Sequence, residues 1–225
     1  MKIKRWLWLI PVLCCCLAGC GQVVVDWADF LKLNGVSYTG DWQTVIVDAS
    51  SIGEPVGEVK FELAASKHKN NSRYKTKDGD AAFLPAGTRV FAIKGVSDHS
   101  LVAAAVDGAF NGYRVYRQDQ RAPVELQAKD VASIQLYEVA NPNVLHGKHV
   151  RTIRGGDIPA FLALFDQAVE DRSAGPDRNL RYVVVYELPG GLGIQHRLVV
   201  SGDRYYVGHT EAKLPDAIRA WLRPE

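Results

Sequence analysis

One pair of histidines lies close enough in the sequence to suggest a metal site. His146 and His149 are separated by two residues, whereas zinc needs three or four ligands in tetrahedral reach. No third ligand stands at a spacing that would complete the site, and the intervening Gly147 favours a loop. The pair is therefore interpreted as part of an exposed loop. His196 and His209 are interpreted as solvent-facing or capping residues, so the sequence predicts no metal site.

Other patterns that could carry catalysis are incomplete. Asp78 and Asp80 resemble the start of a calcium loop, but Ala81 to Phe83 follow where further ligands are needed, so a turn is predicted. The glycines at 190 and 191 join two predicted strands, whereas a phosphate cradle needs a helix behind it. No Ser nucleophile elbow is present, and a pair of carboxylates brought together by the fold is left open. We predict no catalytic residue and no cofactor.

The most unusual segment is the basic loop, residues 66–77. It contains no acidic residue. Its five cations are Lys67, Lys69, Arg73, Lys75 and Lys77. A solvated turn around residues 70–72 is one interpretation. The other is a contact with anionic lipid headgroups or wall polymers.

The first twenty residues have the pattern of an export signal. Three cations precede an uncharged run at 6–18, which is shorter than the roughly 20 apolar residues of a membrane-spanning helix. The run ends in Leu17-Ala18-Gly19-Cys20, which resembles the lipobox of bacterial lipoproteins. The resemblance implies that residues 1–19 are a signal peptide, that Cys20 is diacylated, and that 20–26 form a lipidated tether. The membrane would then be a partner through the diacylglyceryl group.

Cysteine usage and charge agree with export. All four cysteines lie at or before position 20, so the mature chain can form no internal disulfide and avoids mispairing in an oxidising compartment. Without Lys2, Lys4 and Arg5 the chain has 24 basic against 25 acidic residues. A near-neutral chain of this kind is not expected to bind nucleic acid.

The elements that must position these residues change character along the chain. Residues 27–118 are predicted to form a β-rich domain, a small barrel or sandwich, because short alternating runs are separated by turns. Residues 27–33 have helical spacing, and 58–63 alternate as a strand. The segments 81–84 and 89–94 are predicted to pair as a hairpin around Pro85. Further strands are predicted at 45–47, 101–106 and 113–117.

A polar stretch at 118–123 separates this half from an α+β domain at 124–225, predicted in the order ββαβββα. Ile158, Phe161, Leu162 and Phe165 lie on one face of the best helix, predicted from Asp157 to about 169. The strands are predicted at 131–138, 149–154, 181–188, 192–200 and 204–207, with a terminal helix from about 215. Short turns imply an antiparallel sheet with the helices on one face. The fold class is therefore α+β.

A second resemblance concerns the mature chain. Asp78-Gly79-Asp80-Ala81-Ala82-Phe83-Leu84-Pro85, with Gly87-Thr88, is similar to a phrase in uncharacterised surface lipoproteins of Gram-positive bacteria. That family implies a location and no activity. We therefore expect a lipid-anchored, non-enzymatic binding module on the extracytoplasmic face of the cell membrane. The alternatives are a hydrolase acting on an envelope substrate and an accessory structural envelope protein.

Overall fold

Alternating apolar residues build two sheets. In this computed structural model the structure describes residues 26–139, 147–172, 179–208 and 210–223. Strands take up 43% of the chain and helices 12%, and one of the two sheets is curled into a half-barrel. The molecule is thus mainly β, in rough agreement with the predicted α+β class. The lipobox, His146 and His209 lie outside the described residues.

The first sheet comes from the first half of the chain. Its strand order is β4-β7-β8-β9-β2-β1-β6-β5. The strands are β1 (Phe30–Leu33), β2 (Val36–Asp41), β4 (Ile52–Glu58), β5 (Phe61–Glu62), β6 (Asp80–Ala81), β7 (Arg89–Ile93), β8 (Leu101–Ala105) and β9 (Tyr113–Gln118). All neighbours are antiparallel except β5 and β6. Leu31, Val90, Val102 and Tyr116 are fully buried in one cluster, which places the core of this half on one face of the sheet.

The second sheet comes from the other half and carries the two α-helices of the described residues. Its order is β11-β10-β13-β14-β15-β16-β12. The elements are β10 (Ser133–Glu138), β11 (Lys148–Ile153), α1 (Asp157–Asp166), β12 (Val169–Glu170), β13 (Asn179–Glu187), β14 (Leu192–Ser201), β15 (Arg204–Val207), β16 (Ala212–Lys213) and α2 (Ile218–Trp221). Phe161 of α1 and Ile218 of α2 pack in one cluster with Val184 and Tyr186 of β13. Both helices therefore cover the same face of this sheet.

Strand β3 (Thr44–Ile46) crosses from the first half of the chain to the second sheet. It pairs antiparallel with residues 192–194 of β14. Val45 packs with Val183 and Val185 on the sheet face opposite the helices. Ile46 packs with apolar residues of the first sheet. Apart from β3, the strands of the first sheet lie within residues 30–118 and those of the second within residues 133–213. Strand β3 gives the two sheets a common core. The division into domains 27–118 and 124–225 stays a prediction.

Several local predictions are wrong. Residues 30–33 form β1 and not a helix, because Leu31 and Leu33 point to one side and the chain turns at Asn34 and Gly35, which have φ of 52° and 78°. Positive φ at both central residues is the geometry of a tight hairpin, so β1 pairs with β2.

The predicted hairpin around Pro85 is also wrong. Strand β6 pairs with β1 and β5, whereas β7 pairs with β4 and β8. The continuous strand at 58–63 is divided between β4 and β5. Helix α1 ends at Asp166, three residues early, and α2 has four residues. In the described part of the chain, no helix is long and apolar enough to cross a bilayer.

Candidate functional site

All five cations of the basic loop are exposed. Lys67, Lys69, Arg73, Lys75 and Lys77 reach solvent, and none has an ion-pair partner among the described carboxylates. In contrast, two arginines on β9 of the first sheet are paired. Arg114 lies 3.3 Å from an Asp29 carboxylate oxygen, and Arg117 lies 3.4 Å from one of Asp41. The loop therefore presents positive charge that the described part of the protein does not neutralise.

Aromatic stacking and one buried carboxylate hold the base of this loop. The Tyr74 ring stacks on Phe61 at 6.0 Å and lies 5.2 Å from the His68 ring. Tyr74 Oη and the Lys77 backbone N–H both donate to Asp80 Oδ2, at 2.9 and 2.7 Å. Burial, and then Asp80, raise the pKa of Tyr74, so the phenol stays a hydrogen-bond donor. These contacts order the backbone of the loop, so the positions from which its cationic side chains extend are fixed.

The basic loop lies beside the start of the described chain. The Trp27 indole Nε1 donates to the Lys69 carbonyl oxygen at 2.6 Å. Lys32 Nζ donates to the Thr76 carbonyl oxygen at 3.4 Å, and Gly35 N donates to Asp78 Oδ1 at 2.8 Å. Cys20 itself lies outside the described residues, and residues 21–25 separate it from Asp26. Two hydrogen bonds to the loop and one to the adjoining Asp78 therefore hold it against residues 27, 32 and 35, close to the beginning of the described chain.

The histidines that the structure describes lie apart. His149 Nε2 is 2.9 Å from Thr152 Oγ1 on exposed β11. His196 lies between the rings of Phe165 and Tyr186, and burial lowers its pKa. The solvent-facing interpretation of His196 is therefore wrong, because its ring packs under α1. Across the described ranges, no three His, Cys, Asp or Glu side chains are grouped to hold a metal ion.

Sequence reasoning missed a second site, at the corner where β2 ends and β3 begins. Asp41 Oδ1 accepts hydrogen bonds from the Gln43 and Thr44 backbone N–H groups, at 3.1 and 3.0 Å. Asp41 Oδ2 accepts the Thr44 hydroxyl at 3.0 Å. This side-chain turn pushes Trp42 outward, so that 47% of it is exposed. The Asp-Trp-Gln-Thr run was the available signal, since Asp commonly closes such turns on its own backbone.

A partly buried ion pair lies under Trp42. The Arg114 guanidinium is centred 4.0 Å from the Trp42 ring, and its Nη1 lies 3.3 Å from Asp29 Oδ2. Asp29 Oδ1 accepts the Tyr116 hydroxyl at 2.9 Å. Burial raises the pKa of Asp29, against the opposing effects of Tyr116 and Arg114. Gly40 makes room for this pair, because a Cβ there would lie 2.3 Å from Asp29 Oδ2.

The second sheet closes the corner through Gln195 of β14. Its backbone N–H donates to the Gln43 carbonyl oxygen at 2.7 Å, and its Nε2 donates to the Trp42 carbonyl oxygen at 2.6 Å. Gln195 is only 5% exposed. Between the sheets is a cavity of about 20 Å³. We call this cavity and its mouth the corner cleft, lined by Asp41, Trp42, Thr44, Phe110, Arg114 and Gln195.

Two buried polar atoms of the corner cleft residues have no partner in the described structure. They are Gln195 Oε1, a hydrogen-bond acceptor, and Arg114 Nε, a donor. An unsatisfied buried polar group costs about 1–3 kcal/mol, so such groups are uncommon in native proteins. Both residues line the same small cavity. The two atoms themselves have almost no accessible surface, so a group that donates one hydrogen bond and accepts another satisfies both only when the Gln195 and Arg114 side chains turn toward the cavity.

Comparison with protein-family models, with curated proteins and with solved structures found no match to this chain.

Proposed function

We propose that the chain is an exported lipoprotein, anchored through Cys20, which acts as a non-enzymatic binding module on the extracytoplasmic face of the cell membrane. Its basic loop binds the anionic phospholipid headgroups of that membrane. The observation that carries the proposal is the hydrogen bond from Trp27 to the Lys69 carbonyl oxygen. It supports the proposal because Lys69 and the other loop cations, which have no ion-pair partner among the described residues, then lie near Trp27, seven positions after the predicted anchor.

Distance and charge support the lipid as the partner. Six residue steps join Cys20 to Asp26, and at about 3.3–3.6 Å per extended residue they reach at most about 20–22 Å. This reach exceeds the Debye length of about 8 Å at physiological salt, so the loop senses the surface only when it faces the membrane. Its position beside Trp27 allows that orientation. Each cation near an anionic surface then contributes about 1 kcal/mol.

The test separates the loop from the anchor. A chain beginning at Gly21 retains every described residue and lacks the predicted lipid site. Its sedimentation is measured with vesicles of phosphatidylcholine alone and of phosphatidylcholine with one quarter phosphatidylglycerol. We expect binding to the anionic vesicles at low salt, weakened at about 0.15 M salt because the surface charge is screened. Replacement of the five loop cations by Gln should abolish this binding.

A matched control removes the same charge elsewhere. It replaces five exposed cations outside the loop by Gln, namely Lys94, Lys129, Lys148, Arg154 and Arg223. This variant should keep most of the vesicle binding. Equal losses in the two variants would mean that net charge and not the loop is responsible. Binding to soluble poly(glycerol phosphate) in preference to vesicles would make a wall polymer the partner instead.

A further inference from the structure

In the corner cleft, the exposed Trp42 ring lies above a polar pocket. Two polar atoms of the residues that line this pocket have no hydrogen-bond partner among the described residues. Trp42 is the most exposed tryptophan of the described chain, and one side of its ring is covered by Arg114 at 4.0 Å. The turn held by Asp41 fixes the Trp42 backbone. Gln195 holds the same turn from the second sheet. The exposed part of the indole is therefore an apolar surface whose position is fixed by the hydrogen bonds of its turn.

The pocket below the Trp42 ring is the size of one hydroxyl group. About 20 Å³ is room for one water molecule. The unpartnered Gln195 Oε1 needs a donor, and the unpartnered Arg114 Nε–H needs an acceptor. A hydroxyl group is the smallest ligand group that supplies both. A purely apolar group would leave both atoms unsatisfied.

The charges around the cleft cancel, which indicates a neutral ligand. Arg114 is paired with Asp29 at 3.3 Å, and Arg117 with Asp41 at 3.4 Å. Neither pair leaves an excess charge to attract a phosphate or a carboxylate. A carbohydrate fits this requirement, because the C–H groups of a sugar ring form a flat apolar patch between its hydroxyls.

We infer that the corner cleft binds a neutral carbohydrate, whose ring packs on Trp42 while one hydroxyl enters the cavity at Gln195 and Arg114. Binding sites are commonly found where two structural units meet, as an apolar surface with a few convergent polar groups. This site has that form, since the first sheet supplies Arg114 and the second supplies Gln195. The inference does not depend on the basic loop or on the anchor.

The test uses the full chain in a polyoxyethylene detergent, because a glycoside detergent would compete for the site. The probes are the tetrasaccharides of β-1,4-linked glucose, β-1,4-linked N-acetylglucosamine and β-1,4-linked mannose. Binding is followed by saturation-transfer NMR and titration calorimetry. We expect at least one probe to bind saturably. Its affinity should be insensitive to salt, unlike a contact made by the basic loop.

The variants assign the binding to the cleft. Trp42→Ala should weaken it by about ten-fold or more, since truncation of a central tryptophan commonly has this effect. Trp42→Phe should retain part of it. Gln195→Met has a similar volume and removes both the unpartnered oxygen and the Nε2 donor to the Trp42 carbonyl oxygen, so it should weaken binding as well. Phe83→Ala removes a comparably exposed aromatic ring, 44% exposed, outside the cleft, and should leave the affinity unchanged.

Three results would overturn the inference. One is the absence of binding by all three probes at tens of millimolar. Another is binding that Trp42→Ala and Gln195→Met leave unchanged while circular dichroism shows both variants folded. The last is an equal loss in Phe83→Ala. Replacing the five cations of the basic loop by Gln should not alter carbohydrate binding, so failure of this inference and failure of the proposed function are distinguishable.

Discussion

Truncation of Ile46 should weaken both halves of the molecule together. Ile46 lies on β3, in register with Leu192 of β14, and is fully buried. Its side chain packs with Ile93, Leu101 and Val115 of the first sheet. The residue thus belongs to the second sheet by hydrogen bonding and to the first sheet by packing. Ile46→Ala therefore removes packing between the two sheets, and both sheets lose contacts.

The expected loss follows from the atoms removed. The substitution deletes three carbon groups, and each buried group contributes about 0.8 kcal/mol. The transfer contribution is then about 2.4 kcal/mol, and the cavity left in a fully packed site increases the total to about 3–4 kcal/mol. For a chain of this size, such a loss lowers Tm by on the order of 10 °C.

The assay must report on the two halves separately. Urea unfolding followed by circular dichroism gives the total free energy of unfolding. Hydrogen exchange read by mass spectrometry gives the protection of β8, in the first sheet, and of β13, in the second. We expect protection to fall in both strands by a similar factor. As a control, Val169→Ala alters a side chain that is 55% exposed and should change stability by no more than about 0.5 kcal/mol.

One result would refute the shared core. If Ile46→Ala lowers the protection of β8 alone, or of β13 alone, the halves unfold independently. The domains 27–118 and 124–225 would then be separable, as the sequence pattern predicts. Two urea transitions, only one of which moves in the variant, would lead to the same conclusion.

Three further predictions concern single residues. Gly193→Ala should destabilise the protein by about 1–3 kcal/mol in urea unfolding. The new Cβ would lie 2.9 Å from the Tyr186 carbonyl oxygen and 2.5 Å from Val47 Cγ2. An unchanged free energy of unfolding would contradict this close packing. Burial lowers the pKa of His196, so the unfolded chain takes up its proton first as pH falls. The free energy of unfolding should therefore decrease as the pH falls through the ordinary histidine pKa of about 6.5. His196→Gln should remove that part of the decrease, and an unchanged pH slope would show that other groups cause it. Cys20→Ala should block lipidation and signal cleavage, seen as a change in gel mobility and mass; a wild-type chain whose N-terminus is anything but lipidated Cys20 would exclude the predicted anchor.

The sequence alone predicted the elements whose pattern of apolar or charged residues is long or uninterrupted. The apolar spacing from Ile158 to Phe165 predicted α1, which the structure confirms over 157–166. The apolar run in 181–188 predicted β13, which is buried on both faces at residues 183–186. The loop cations were predictable as exposed, because residues 66–77 contain no acidic residue to pair with them. In each case, the pattern that predicts the structure lies within a short segment of neighbouring residues.

Only the tertiary structure decided which elements meet. Residues 27–33 contain too few apolar positions to separate a helical from a strand period, and the turn at Asn34 and pairing with β2 resolve them as a strand. The run at 45–47 indicated a strand but not its partner, since three residues carry no register of their own. Pairing with β14 brings Gln195 to within hydrogen-bond distance of Trp42, 153 positions away in the sequence. The corner cleft therefore has no local signature, because its acceptor, its donor and its aromatic ring come from separate parts of the chain that packing alone brings together.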